Sequence, residues 1–310
     1  MLVKASAPGS MMLLGEYAVL HGKQALVCAV DQRITVSLIP RTDQKIKINS
    51  SLGDYESDLA ALNSAAPFEF ILTAIKKLAP QMSQGCDITI VSDFSHRVGL
   101  GSSAAVTVAT LAALKKWLND TIDAQELLSE ARAVIRSVQG LGSGADVAAS
   151  VLGGMVAYKM QPLWVEKIPQ LHAITAIYSG YKTPTVDAVK QVEKNFSTQP
   201  KVYEDICTAI DNCALQGVEA ARAANWRGLG ESMNIQQTYM HSLGVNTPDL
   251  NKIVMALRKH KNILGAKISG SGLGDCIIAL GNAADLNWAD TEIKNLPISM
   301  TLQGVVCEKS

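Results

Sequence analysis

Two kinds of hydrophobic spacing divide the first half of the chain. In the first fifty residues, apolar and β-branched side chains gather in short runs at 11–14, 25–30, 34–39 and 45–48. Gly, Asp and Thr-Asp turns separate them, which predicts strands. The spacing turns helical over 68–78, and a fifth strand is predicted at 86–91. From Ser102 the period is that of a helix face. Ala105, Val108, Ala109 and Ala112 fall at i, i+3, i+4 and i+7. Helices are predicted over 102–117 and 124–137, the second opened by a capping box of Asp123 and Glu126. A strand follows at 155–158.

In the second half, strands are broken by groups of helices. Strands are predicted at 173–178, 266–269, 276–280 and 300–306, and helices at 184–194, 202–224, 227–242, 249–260 and 284–295. Pro162 and Pro169 interrupt the pattern between 158 and 173, which places a domain boundary there, with units 1–165 and 166–310. Such an order predicts an α+β fold rather than a doubly wound parallel sheet.

Composition narrows the class. With 48% hydrophobic and 18% charged residues, the chain can bury a large core. Lys plus Arg and Asp plus Glu balance at 28 each, so no global field recruits nucleic acid or a membrane surface, and an anion site has to be built locally. Six cysteines lie in apolar surroundings with no Cys-x-x-Cys pair, the pattern of free thiols in a reducing compartment. No secretory signal and no 18-residue apolar run is read, and a cytoplasmic location is expected.

The candidate chemistry lies in glycine-rich turns. Gly99-Leu100-Gly101-Ser102-Ser103-Ala104-Ala105 leads into a predicted helix. Glycines let the backbone turn close to a ligand. The first helical turn then offers free N–H groups and the positive end of the macrodipole to a phosphate chain. The same string fits a loose dinucleotide fingerprint, with Asp120 and Asp123 about 20 residues on. That reading requires the first glycine directly after a strand, and residues 92–98 intervene. No Walker A string occurs.

Three more stretches join this loop: residues 7–22, with Ala7-Pro8-Gly9-Ser10 and Gly15-Glu16-Tyr17-Ala18-Val19-Leu20-His21-Gly22; Gly142-Ser143-Gly144-Ala145-Asp146; and Ser269-Gly270-Ser271-Gly272-Leu273-Gly274-Asp275. In this order and spacing they resemble the GHMP kinase superfamily over almost the whole chain. The branch they look most like is the mevalonate kinases, with the phosphomevalonate kinases close behind. The resemblance implies an N-terminal domain like ribosomal protein S5 and a C-terminal ferredoxin-like domain, with ATP between them. It implies that Gly99, Leu100, Gly101, Ser102, Ser103 and Ala104 hold the ATP phosphates, that Ser103 approaches Mg²⁺, and that Asp146 orients the acceptor hydroxyl and takes its proton. Glu16, His21, Ser143, Lys182, Gly270 and Ser271 become candidate acceptor-binding residues. The implied substrate is a small hydroxy acid, mevalonate or phosphomevalonate, and a homodimer is expected on the same ground. From spacing alone, Ser143-x-x-Asp146 reads as a capping box before it reads as a catalytic acid. A kinase-like fold that binds a metabolite without turnover is the alternative of another class.

Two positions depart from the family pattern. Ser10 stands where mevalonate and phosphomevalonate kinases usually carry a lysine, leaving Lys182, Lys267 and Arg97 as candidate cations. Eleven residues before Asp146, where mevalonate kinases commonly place a metal-binding glutamate, stands Ile135, and the nearest upstream acid is Glu130. No dense basic cluster that would recognise a phosphorylated acceptor is found outside the nucleotide motifs.

Overall fold

A computed structural model describes residues 1–95, 98–288 and 292–310. The first sheet is organised by β1 (Val3–Leu14) and β2 (Gln24–Pro40), antiparallel along most of their length. β2 unites the two runs predicted at 25–30 and 34–39, because one long strand serves two partners. Its first part pairs with β6 (Met155–Lys159) and its second with β5 (Cys86–Ser92). β3 (Lys45–Ser50) lies parallel to β5 and forms a hairpin with β4 (Gly53–Asp58), which the sequence pattern did not reveal. β6 turns back into β7 (Trp164–Ile168), so the boundary expected at 165/166 falls inside a strand. The chain end returns as β12 (Val306–Lys309) beside β1.

Four helices cover one face of this sheet: α1 (Glu69–Leu78), α2 (Ser102–Trp117), α3 (Ala124–Gln139) and α4 (Ala145–Leu152). Their apolar sides meet Val36, Leu38, Ile46 and Ile88 in one core with Leu72, Ile75, Val108, Leu111 and Ala148. α2 is buried nearly all round, and its alanines let it lie close against β1 and β2. Asp123 caps α3 by accepting from the Gln125 and Glu126 amides, as expected.

The second sheet has the order β11-β8-β10-β9, all antiparallel. Its strands are β8 (Ile174–Tyr178), β9 (Ile263–Ser269), β10 (Cys276–Gly281) and β11 (Lys294–Leu296). α5 (Thr185–Asn195), α6 (Pro200–Arg222), α7 (Trp226–Ser242) and α8 (Pro248–Lys259) lie between β8 and β9 in the chain, close to their predicted spans. Met11, Leu13, Leu26 and Cys28 from the first sheet meet Leu229, Met233, Cys276 and Ile278 in a second core, so β1 and β2 are buried on both faces.

Two predicted elements are corrected. Residues 284–288 form no helix, 294–296 form a strand, and 289–291 lie outside the described residues. The Asn295 side chain donates to the Ala284 and Leu286 carbonyls and accepts from Trp288 Nε1, satisfying backbone groups that a helix would have used. The strand predicted at 300–306 reduces to a single bridge of Met300 to Val30, with regular pairing only at β12. Arg33 reaches the Gln303 and Gly304 carbonyls instead, and Gly304 packs so tightly on α4 that a Cβ would lie 2.2 Å from the Val151 carbonyl oxygen.

Candidate active site

A cleft of about 1150 Å³ is lined by residues from both halves. Ser10, Glu16, Gly99, Gly101, Ser102, Ser103, Ala104, Ser143, Asp146, Lys182, Gly270 and Ser271 all face it. Four sequence motifs separated by up to 260 residues thus become one surface.

The phosphate-type loop has the geometry its composition predicts. Gly101 sits at the N-cap of α2 with φ 65°, and no side chain caps the helix, so its first amides are open to a ligand. Leu100 turns the other way: it is buried, and its carbonyl accepts from the Ser10 amide at 3.0 Å. Leu100 is therefore a structural member of the loop and does not line the cleft. β1 accommodates this contact through a register shift between Pro8 and Ser10. Such bulges re-aim side chains beside functional sites, and Gly9 is required there because a Cβ would lie 2.7 Å from the Leu100 oxygen.

The bulge points Ser10 at the carboxylate of the first turn of α4. Ser10 Oγ donates to Asp146 Oδ1 at 3.0 Å. The N-cap of α4 is Gly144, and Ser143 Oγ accepts from the nearby Ala145 amide. The reciprocal Ser143–Asp146 capping box is not formed, and Asp146 is left for the cleft. Burial raises the Asp146 pKa above the ordinary aspartate value. The Ser10 hydrogen bond and the Lys182 charge oppose this, while Glu16 and Asp275 add to it.

Glu16 is fixed by a buried network. It accepts from Gln236 Nε2, from the ammonium of Lys267 and from the Gly270 amide at 3.3 Å. Lys267 is wholly buried, donates also to the Ile268 carbonyl and does not line the cleft. Its charge serves Glu16, which removes it as the cation standing in at Ser10.

Lys182 does line the cleft. Its ammonium lies 3.5 Å from Asp275 Oδ2. The Asp275 carboxylate sits against Gly99, where a Cβ would come within 2.4 Å of Oδ1. Asp275 is a site residue that motif spacing did not single out; the only signal was a carboxylate in a turn otherwise built of glycine and small residues.

The remaining candidates separate clearly. His21 is exposed, pairs with the Tyr203 hydroxyl at 3.1 Å and stays outside the cleft. Glu130 faces Lys115 and Lys77 on the far side of α3, while Ile135 occupies the cleft wall. Arg97 lies outside the described residues. Among the described residues no cluster of three or more His, Cys, Asp or Glu could hold a metal by itself.

Comparison with known proteins identifies the family of both halves. Residues 69–154 match the GHMP kinases N terminal domain, and residues 218–287 match the GHMP kinases C terminal. The mevalonate kinase of Archaeoglobus fulgidus is 32% identical over 277 residues, covering 89% of this chain and 91% of that one. The crystal structure of Methanococcus jannaschii mevalonate kinase superposes with a TM-score of 0.80 at 24% identity, over 97% of this chain and 98% of that one. A Streptococcus pneumoniae phosphomevalonate kinase, in complex with phosphomevalonate and AMPPNP, shares the fold with a TM-score of 0.81 at 21% identity, over 96% and 99%.

Proposed function

Because this chain belongs to the GHMP kinases, we propose that it transfers the γ-phosphoryl group of ATP to the 5-hydroxyl of (R)-mevalonate. The observation that carries this reading is the meeting, in one cleft, of the uncapped N-terminus of α2 with the half-buried carboxylate of Asp146. The first supplies backbone donors and a positive field for a polyphosphate. The second supplies a proton acceptor beside it.

The 5-hydroxyl oxygen attacks the γ-phosphorus, the bond from that phosphorus to the β-phosphate oxygen breaks, ADP leaves, and the hydroxyl proton passes to Asp146. Positioning and charge stabilisation supply most of the rate in such transfers. The nucleobase is assigned to the apolar part of the cleft wall formed by Ile34, Phe68, Ile71, Ile90 and Phe94. The acceptor is assigned to the wall of Glu16, Tyr17, Leu141, Ser143 and Val189.

Mg²⁺ fits this site as an ion that arrives with the nucleotide. The protein offers the Ser103 hydroxyl in the first turn of α2, and the described residues hold no self-sufficient metal cluster. Mg²⁺ typically keeps phosphate and water ligands beside few from the protein. When bound it neutralises charge on the β- and γ-phosphates.

Of the lining residues described, Lys182 alone is basic. A doubly charged phosphomonoester acceptor would lack the donor cluster that recognises phosphate, which favours mevalonate over phosphomevalonate. An ADP-release assay with mevalonate, phosphomevalonate and galactose tests the proposal. Mevalonate is expected to drive turnover far above the other two. ATP binding with no acceptor-dependent ADP release would overturn it.

A further inference from the structure

We propose that Lys182 is the catalytic cation of this enzyme, reaching across the cleft to the transferring phosphoryl group and positioned for it by Asp275. The inference rests on the kinase reading above and names a residue for its unassigned charge.

The first argument is electrostatic. The cleft is walled by Glu16, Asp93, Asp146 and Asp275, and has to receive a polyphosphate. With Glu16 already matched by Lys267, the helix N-terminus alone faces Asp93, Asp146, Asp275 and a triphosphate, more negative charge than one macrodipole offsets. Lys182 is the one lysine or arginine among the described lining residues. Ser10, the neighbour of Asp146, donates a hydrogen bond but brings no charge. Lys267 is spent on Glu16.

The second argument is mechanical. The segment carrying Lys182 is laced to the glycine-rich turn on both sides of the lysine. The Asp275 amide donates to the Tyr181 carbonyl at 2.7 Å, and Thr183 Oγ1 donates to the Leu273 carbonyl at 2.7 Å. The Ser179 amide donates to the Asp275 carbonyl at 2.9 Å, and Gly274 leaves no room for a Cβ beneath the Tyr181 ring. The backbone of Lys182 is thus fixed relative to the 273–275 turn, while its side chain remains one-third exposed and free to swing. Asp275 holds the ammonium beside Gly99, the first glycine of that loop. The γ-phosphoryl group is a competing anion for the same ammonium, so the lysine is delivered by one carboxylate to the place where charge develops.

Three measurements on Lys182→Met and Lys182→Arg test this. Turnover with ATP and mevalonate should fall about 100-fold or more in Lys182→Met, the usual loss on removing one electrostatic donor from a transition state, and recover in part in Lys182→Arg. Affinity for AMPPNP should weaken in Lys182→Met while affinity for ADP, which lacks the γ-phosphate, stays within about threefold. Thermal unfolding should match the parent, because the side chain is partly solvent-facing. Retained turnover in Lys182→Met, or equal loss of ADP and AMPPNP affinity, overturns the assignment. If the parent enzyme itself fails to phosphorylate mevalonate, the acceptor proposal falls, and the ADP-against-AMPPNP contrast still decides the role of Lys182.

Discussion

At the scale of single residues, Ser10 and Asp146 show how a neighbour rewrites a side chain's chemistry. Asp146 is half-buried at the cleft wall, and desolvation favours its protonated form. The Ser10 hydroxyl stabilises the ionised form that a general base requires. Turnover should therefore rise with pH through an apparent value above the roughly 3.9 of a free aspartate. Ser10→Ala removes a hydrogen bond that lowers the pKa, so the acid limb of kcat/KM should move to higher pH. Asp146→Asn should lower turnover by about 100-fold or more while ADP affinity is kept. A limb that stays in place in Ser10→Ala would show that another group titrates. Glu16 makes the complementary point: its sequence motif marks it, but Gln236 and Lys267, far away in the chain, decide that it stays fixed in the wall.

At the scale of elements, the site is made of helix starts. α2 and α4 both begin after glycines in the left-handed region, Gly101 at φ 65° and Gly144 at φ 90°. Neither has an N-cap side-chain bond, whereas the start of α3, which does not line the cleft, is capped by Asp123. α2 leaves its first amides open at the cleft, α4 has only its Ala145 amide taken by Ser143, and α3 satisfies its own start away from the cleft. Gly101→Ala places an L-residue at positive φ, worth about 1–2 kcal/mol of strain, and sets a Cβ 2.3 Å from Ser10 Oγ. It should cost at least tenfold in ATP affinity by calorimetry, with only a small drop in the urea midpoint. Normal ATP binding in that variant would mean that the loop geometry does not govern phosphate capture.

At the scale of the whole molecule, burial of β1 and β2 on both faces joins the two halves into one hydrophobic structure. Cys28, Cys86, Cys207, Cys213 and Cys276 are all buried, and Cys307 is partly so. Burial pushes the thiols of Cys28 and Cys86 up to about 12, and those of Cys207 and Cys307 up to about 11. Thiolate is the reactive form. Native protein should thus resist iodoacetamide at pH 8, and mass spectrometry should show six labelled cysteines only after denaturation. Rapid labelling of Cys28, Cys213 or Cys276, which lie in the core shared by the two halves, would show that the halves separate readily.

Much of this molecule was legible in the chain because local rules were enough. Helical spacing placed α1, α2, α5, α6, α7 and α8 to within two residues at most ends, since apolar faces repeat with the helix period wherever one side is buried. The glycine-rich string at 99–105 marked the phosphate loop because only certain residues permit that turn, whereas Asp146 was singled out by its resemblance to the family motif. Local rules failed where distant groups satisfied the backbone. Asn295 unmade a predicted helix, Arg33 unmade a predicted strand, and β4, the second strand of the hairpin begun at 45, carries too many polar residues to stand out. Which cation serves the cleft was also beyond the sequence. Lys182, Lys267 and Arg97 were equal candidates as letters, and only packing paired Lys267 with Glu16 and set Lys182 beside Asp275. A turn or a helix is selected by interactions within a few residues. A charge acquires its role from whatever the fold brings within a few ångströms of it, and that proximity exists only once both halves have closed on each other.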